Sequence, residues 1–256
     1  MRTRVIATAL FAVVLASVPV FTITNGQPDG NAHPYVGLAF QPIPNSEFVT
    51  ICSGSALSPT KFLTAAHCFD PAMPAFVSFK NGPPFGGTFV AGTFHPDPAW
   101  CPGCGPGLPG FDTHDVAVMT LATPVTLSRY ANLPEPGIVD TLPMKTGVDI
   151  VGYGVQEIIR GGGRPQPFTS LIRFFAPSLI IQSNNRSSSE FLKLTANPAK
   201  GKGGICSGDS GGPDLLGGTD TVLAVNSYVT NGNCAGVTYS QRVDLPDILQ
   251  FIASVQ

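Results

Sequence analysis

The chain has 256 residues, of which 29 are Gly and 25 Pro, with 14 basic and 16 acidic side chains, a net charge of −2 and only 12% charged residues. So low a charge density excludes a disordered tail, the recurrence of helix breakers excludes a coiled coil, and the lack of clustered Lys and Arg excludes a nucleic-acid binder, because phosphate recognition needs such clusters. The composition suits short strands joined by many tight turns.

At the start, Arg2 and Arg4 precede an apolar run over residues 5–21 that is broken by Pro19. This is the charged-then-apolar order of a secretory signal, and the run is short and kinked for a spanning helix. Residues 1–22 are therefore expected to be removed, leaving a secreted chain with no further membrane attachment. Beyond them, runs rich in Val, Ile, Phe and Thr recur at residues 35–40, 48–52, 76–79, 88–94, 116–121, 148–151, 178–181 and 222–225, with Gly, Pro and Asn between them. Such spacing predicts an all-β sandwich or barrel. Residues 97–112 and 155–170 are dense in Pro and Gly and are predicted to be surface loops. At the end, Asp244 as N-cap, Pro246 in the first turn and an apolar stripe of Ile248, Leu249, Phe251 and Ile252 predict a short C-terminal helix.

Six cysteines, Cys52, Cys68, Cys101, Cys104, Cys206 and Cys234, fit an oxidising destination, and sequence alone allows 15 pairings. Cys101 and Cys104 form a CPGC unit that reads as a redox dithiol, half of a zinc site or a small local disulfide. The disulfide is preferred, because zinc needs two more ligands and only His95 and His114 lie nearby. No metal or other cofactor is expected.

Three motifs carry chemistry. TAAHC places His67 beside a cysteine, while His33, His95 and His114 have no comparable company and read as structural. In FDTHDVAVMTL, Asp115 opens an apolar strand, where a carboxylate is costly unless a buried partner such as an imidazole N–H meets it. Asp112 is its rival but lies inside a Gly/Pro loop. In GICSGDSGGP, Ser210 is flanked by small residues that let backbone N–H groups turn inward to form an oxyanion pocket. The string from Gly208 to Gly212 also satisfies the G-x-S-x-G elbow of the α/β-hydrolases, but those enzymes place their histidine after the serine, and none follows His114 here. A subtilisin-like order would need Asp29 and leaves the Asp115 strand unexplained. Only His67, Asp115 and Ser210, in that order, use all three motifs.

In this order and spacing, TAAHC, DVAVMTL and GDSGGP resemble the chymotrypsin-fold (trypsin-like) serine proteases, from about Ile23 to the C-terminal helix. The resemblance implies two packed six-stranded antiparallel β-barrels in one domain over 23–256, with the barrel boundary near 125–140. It implies disulfides Cys52–Cys68 and Cys206–Cys234, and an endopeptidase in which His67, Asp115 and Ser210 act as a triad and the N–H groups of Gly208 and Ser210 hold the oxyanion. Ile23-Thr24-Asn25-Gly26 is similar to the start of mature family members, whose freed amino group pairs with the aspartate before the nucleophile, here Asp209. No Lys or Arg lies between Arg4 and Lys61, so signal removal itself is expected to expose Ile23.

The family position at the base of the primary specificity pocket is Gly204, which argues against Arg or Lys preference. The expected wall is Ser227-Tyr228-Val229 with Gly236 opposite, suggesting small or medium apolar side chains, then aromatic ones; Ser227 is also expected to hydrogen-bond Asp115. A slip of one residue would put Asn226 in the place of Ser227. Residues 79–92 lack the clustered carboxylates of a calcium loop, and Asn185-Arg186-Ser187 is a sequon of little weight. Expected partners are protein or peptide substrates and proteinaceous inhibitors, with no nucleic acid, and the chain is expected to be a monomer. The alternatives are a catalytically silent binding homologue and an esterase with weak peptidase action.

Overall fold

The computed structural model describes residue 23 and residues 26–82, 88–103, 112–155, 157–159, 166–168, 170–182, 189–230 and 234–256. The expected signal segment, Cys104 and the sequon at Asn185 lie outside the described residues. A two-residue strand β1 (Gln27–Pro28) leads to β2 (Val36–Pro42), β3 (Val49–Ala56), β4 (Lys61–Thr64), β5 (Ala75–Ser78), β6 (Val90–Pro96) and β7 (Ala117–Leu121). β2 to β7 close an antiparallel barrel in the order β2-β3-β4-β7-β6-β5. Their β-branched and aromatic residues suit a pleated, half-buried surface, and Leu38, Phe62, Leu63, Val77, Phe94 and Met119 are all buried in its core.

A connection carrying the one-turn helix α1 (Ile138–Thr141) leads to β8 (Gly147–Gly152), β9 (Glu157–Ile159), β10 (Gln166–Phe168), β11 (Phe174–Gln182), β12 (Phe191–Ala196), β13 (Pro213–Leu216), β14 (Val222–Val229) and β15 (Gly236–Arg242). Six of these close a second barrel, β8-β11-β12-β15-β14-β13, because β13 and β11 each pair with β8; β1 adds to the edge of β11. The architecture is thus two six-stranded antiparallel barrels. The predicted surface loop at 155–170 differs from the expectation: β9 and β10 pair there as a small hairpin.

The barrels share a core. Val151, Tyr153, Leu215 and Val225 from the second barrel join the apolar cluster of the first. The terminal helix α2 (Pro246–Ser254) returns to the same cluster through Ile248 and Ile252, each burial worth about 1.5–3 kcal/mol. Among the described residues no helix is long and apolar enough to cross a membrane. Asp244 does not cap α2. The N-cap residue is Leu245, with no side-chain cap, and the Asp244 carboxylate is drawn instead into a buried pair with Arg242 and accepts the Val139 N–H at 2.8 Å.

Arg173, fully buried on the approach to β11, pins the N-terminal segment. It donates to Asp29 Oδ2 at 2.8 Å, Asn31 Oδ1 at 2.7 Å and the Val36 carbonyl at 2.8 Å. Burial pushes the Asp29 carboxyl up, but hydrogen bonds from His33 and Arg173 outweigh it and hold the group below the usual range.

Asp214 on β13 has the opposite balance. It is fully buried, and the nearby Ser240 hydroxyl offsets little of the desolvation, so its pKa is pushed up to about 7. An acid with a raised folded pKa gives stability that is present below its unfolded pKa and is lost as pH rises through the folded value. Asp214→Asn is therefore expected to raise Tm near pH 8 by at least about 2–4 °C, the equivalent of 1 kcal/mol in a domain of this size, and to change it little near pH 4. A loss of Tm near pH 8, followed by calorimetry, would show that the ionised carboxylate has a stabilising partner.

Candidate active site

Three segments from the two barrels come together at their junction. His67 sits in a single 3-10 turn, Ala66–Cys68, that follows β4 and is tied back to β3 by the disulfide Cys52–Cys68. By the chain-entropy model a loop of this length is worth about 3 kcal/mol. Asp115 lies just before β7 and is fully buried. Its Oδ1 accepts the His67 backbone N–H at 2.9 Å, its Oδ2 contacts His67 Nδ1 at 2.7 Å, and the Ser227 hydroxyl on β14 donates to the same Oδ2. Ser227 rather than Asn226 thus faces the carboxylate. Asp112 is engaged elsewhere, with its Oδ1 accepting the Gly103 N–H at 2.8 Å.

Burial pulls the His67 pKa down, but the charge and hydrogen bond of Asp115 outweigh it, and the net shift is upward from 6.5. The His67 side chain is 32% exposed. Tyr228 lies 6.3 Å from it in a near-parallel arrangement, and the Tyr228 hydroxyl accepts the Asp112 N–H at 2.9 Å. Burial, with the charges of Asp115 and Asp112, pushes the Tyr228 hydroxyl up to about 12.

Ser210 occupies the turn before β13, and its neighbours hold it by the backbone. Ser53 N–H donates to the Ser210 carbonyl at 2.7 Å, and Cys68 Sγ lies 3.9 Å from the same oxygen. A His67 ring nitrogen is within 4.8 Å of that sulfur, so Cys68 neighbours both the imidazole and the serine backbone. Among the described residues the Ser210 hydroxyl makes no hydrogen bond, as is common for a nucleophile and base before substrate arrives.

The small residues around the serine follow from crowding. A Cβ at Gly211, φ +80°, would lie 2.1 Å from Thr64 Oγ1, and one at Gly208, φ +93°, would lie 3.0 Å from Gly154 Cα. The Ser207 carbonyl accepts the Val155 N–H at 2.8 Å. Because a trans peptide points its C=O and N–H in opposite directions, the Gly208 N–H is turned away from Val155. Among the described residues neither that N–H nor the one of Ser210 has a partner, so both remain as donors for an anion.

Asn226 clamps the loop from the other side. Its N–H donates to the Gly212 carbonyl at 2.9 Å, its carbonyl accepts the Gly211 N–H at 2.8 Å, and its Nδ2 reaches the Asp209 carbonyl at 3.2 Å. Nothing in the sequence marks this residue, which there is only a rival for the place of Ser227. Asp209 is fully buried, with only the Gly154 and Cys206 N–H groups on its carboxylate, and desolvation pushes it up to about 7. Among the described residues no cation pairs with it. Ile23 is itself completely buried, in the core of the second barrel with Val148, Ile150 and Ile205.

The disulfide Cys206–Cys234 joins this loop to the segment before β15. A Cβ on Gly204 would meet Ala196 Cβ at 2.2 Å, and Gly236 is the strand partner of Ala196. Gly204, Ala196 and Gly236 therefore form one small, uncharged corner, with Ser227 and Val229 on the neighbouring strand; Ala196 carries no sequence signal. Cys101 is disulfide-bonded, and its expected partner Cys104 falls outside the described residues. Among the described residues the cluster of possible metal ligands is Cys52, His67 and Cys68. Both sulfurs are locked in a disulfide, so the trio offers no thiolate.

A family model described as Trypsin matches residues 27–252. The cercarial protease of Schistosoma mansoni is 29% identical over 276 aligned residues, covering 98% of this chain and 93% of that protein. The solved structure of HL collagenase superposes with a TM-score of 0.70 at 18% identity, over 91% of this chain and 100% of that one. Human heparin binding protein does so with a TM-score of 0.66 at 18% identity, over 91% of this chain and 96% of that one. At such identity these two likenesses speak for the fold alone.

Proposed function

The chain belongs to the trypsin family, and from that premise we propose that it is a secreted serine endopeptidase acting through His67, Asp115 and Ser210. The observation that carries this reading is the meeting, at the junction of the barrels, of an imidazole held on a buried carboxylate and a serine accompanied by two unpartnered backbone N–H groups. As Ser210 Oγ attacks the substrate carbonyl, its proton passes to His67 Nε2, which later gives it to the leaving amine. Asp115 holds Nδ1–H, fixes the tautomer and stabilises the imidazolium. The N–H groups of Gly208 and Ser210 receive the oxyanion, and water then repeats the sequence on the acyl-enzyme.

Activation uses the same loop. Once the signal is removed, the new amino group of Ile23 supplies the cation that Asp209 lacks, relieving a buried unpaired charge. Arg173 and Asp29 tether the segment only a few residues downstream, which limits how far the new terminus can stray. The Gly204, Ala196 and Gly236 corner carries no carboxylate for a basic side chain, so the enzyme prefers small or medium apolar residues before the cut bond.

Expressed from the full chain, the secreted protein is expected to begin at Ile23 on N-terminal sequencing and to cut a peptide library after small or medium apolar residues. Strong cutting after Arg or Lys would refute the pocket assignment. A terminus after Ala16 or Ser17 would mean a pro-segment and a second cleavage.

A further inference from the structure

We infer that Ser53 is a positioning residue for the oxyanion loop, its hydroxyl holding the Gly208 carbonyl and with it the Gly208 torsions that aim the preceding N–H; the inference rests on the protease reading above. Ser53 lies on β3 of the first barrel, beside Cys52, and is fully buried. Its Oγ donates to the Gly208 carbonyl at 2.9 Å and accepts the Tyr153 N–H at 3.0 Å, both in the second barrel. One hydroxyl uses its proton and a lone pair across the junction between the barrels.

The consequence follows from peptide geometry. Two carbonyls flank the Gly208 N–H: that of Ser207 before it, held by Val155 N–H, and that of Gly208 after it, held by Ser53 Oγ. With both carbonyls pinned, the donor has one direction available, and Gly208, at φ +93°, carries no side chain that would restrict it otherwise. Ser53 N–H also holds the Ser210 carbonyl at 2.7 Å, so one residue anchors the carbonyl of each of the two residues whose N–H groups form the pocket. Without the hydroxyl, the Gly208 carbonyl loses its hydrogen bond and becomes a buried acceptor without a partner, an arrangement that folded proteins avoid. The Gly208–Asp209 peptide then keeps only the Asp209 N–H bond to the Cys206 carbonyl at 3.0 Å; its rotation changes the torsions of Gly208, which has no Cβ to resist, and so carries the preceding N–H off the oxyanion.

The test compares wild type, Ser53→Ala and Ser53→Thr, each counted by the end-point stoichiometry of fluorophosphonate labelling so that only folded sites enter the rates. Ser53→Ala is expected to lose about 10- to 100-fold in kcat with KM nearly unchanged, somewhat less than removal of a whole oxyanion donor. Its affinity for a peptide boronic acid, which mimics the tetrahedral intermediate, should fall in parallel with kcat/KM, while that for the product peptide stays the same. Ser53→Thr keeps the hydroxyl and should restore most of both. A lowered Tm with kcat and boronate affinity intact would reduce Ser53 to a structural residue and overturn the inference. Failure of the wild type to label would instead strike the protease reading itself.

Discussion

Ser210→Ala is expected to lower kcat for peptide and ester substrates by about 10⁶-fold, the scale seen when a triad serine is removed. It should abolish labelling by a fluorophosphonate and leave KM and Tm almost unchanged. The large kinetic and small structural effects are both expected because of how the residue is held. Its backbone carbonyl accepts Ser53 N–H, the following Gly211 N–H is fixed by Asn226, and the hydroxyl makes no hydrogen bond among the described residues. Alanine therefore removes only the attacking oxygen, and it fits the same backbone conformation. The residual rate should come from substrate binding and the two backbone donors, which alone leave about 10³- to 10⁴-fold over water. Undiminished turnover would refute the nucleophile assignment. A wild-type protein that neither labels nor turns over would favour a silent binding homologue, and one that cleaves esters but not peptides would favour an esterase.

The sequence carried much of this where a single residue type has a single physical use. Aliphatic and aromatic runs marked β2, β7, β8 and β14, because apolar side chains at strand spacing need a core. TAAHC and GDSGGP marked where the two barrels approach each other, because small residues are required where backbone meets backbone, as at Gly208 and Gly211. β15 was hard to read for the opposite reason. Its residues Gly236-Val237-Thr238-Tyr239-Ser240-Gln241-Arg242 are mostly polar, yet Thr238, Ser240, Gln241 and Arg242 are buried. Its pairing with β12 and β14, rather than its own pattern, makes it a strand. Asp244 has the right chemistry for a cap, but a buried guanidinium two residues earlier outcompetes the helix end for it. Ser53 and Asn226 are illegible in kind: a serine or asparagine in a strand is unremarkable until a loop more than 150 or about 17 residues away comes to rest on it.

Asp115→Asn is expected to lower kcat by about 10⁴-fold, the effect that the wrong imidazole tautomer has in the template triad. Asp115 accepts three hydrogen bonds, from His67 N–H, His67 Nδ1–H and Ser227 Oγ. An asparagine can keep its oxygen on the first, but its NH₂ then faces Nδ1, which must become the acceptor. The proton moves to Nε2, the nitrogen that has to receive the one from Ser210, and the base is lost. Fold survival is expected at a cost of about 1–3 kcal/mol for the weakened buried network, so circular dichroism should separate this variant from an unfolded one.

The pH profile gives a second, independent readout. In the wild type His67 works as a base only when neutral, so kcat/KM should rise with pH through a limb above 6.5, since Asp115 raises the His67 pKa against the opposing pull of burial. The variant loses both effects that raise it and keeps the burial that lowers it. The acid limb of its residual activity should therefore move to lower pH, followed by kcat/KM or by the imidazole proton resonances in NMR. The same linkage acts on stability: a histidine with a raised folded pKa stabilises fully below its unfolded value and ceases to do so as pH rises through the folded one. The wild type should accordingly lose a small increment of Tm across that interval, and the variant should not. A limb that stays in place or moves upward would mean that Asp115 does not set the charge of His67, and the relay would have to be assigned to other groups.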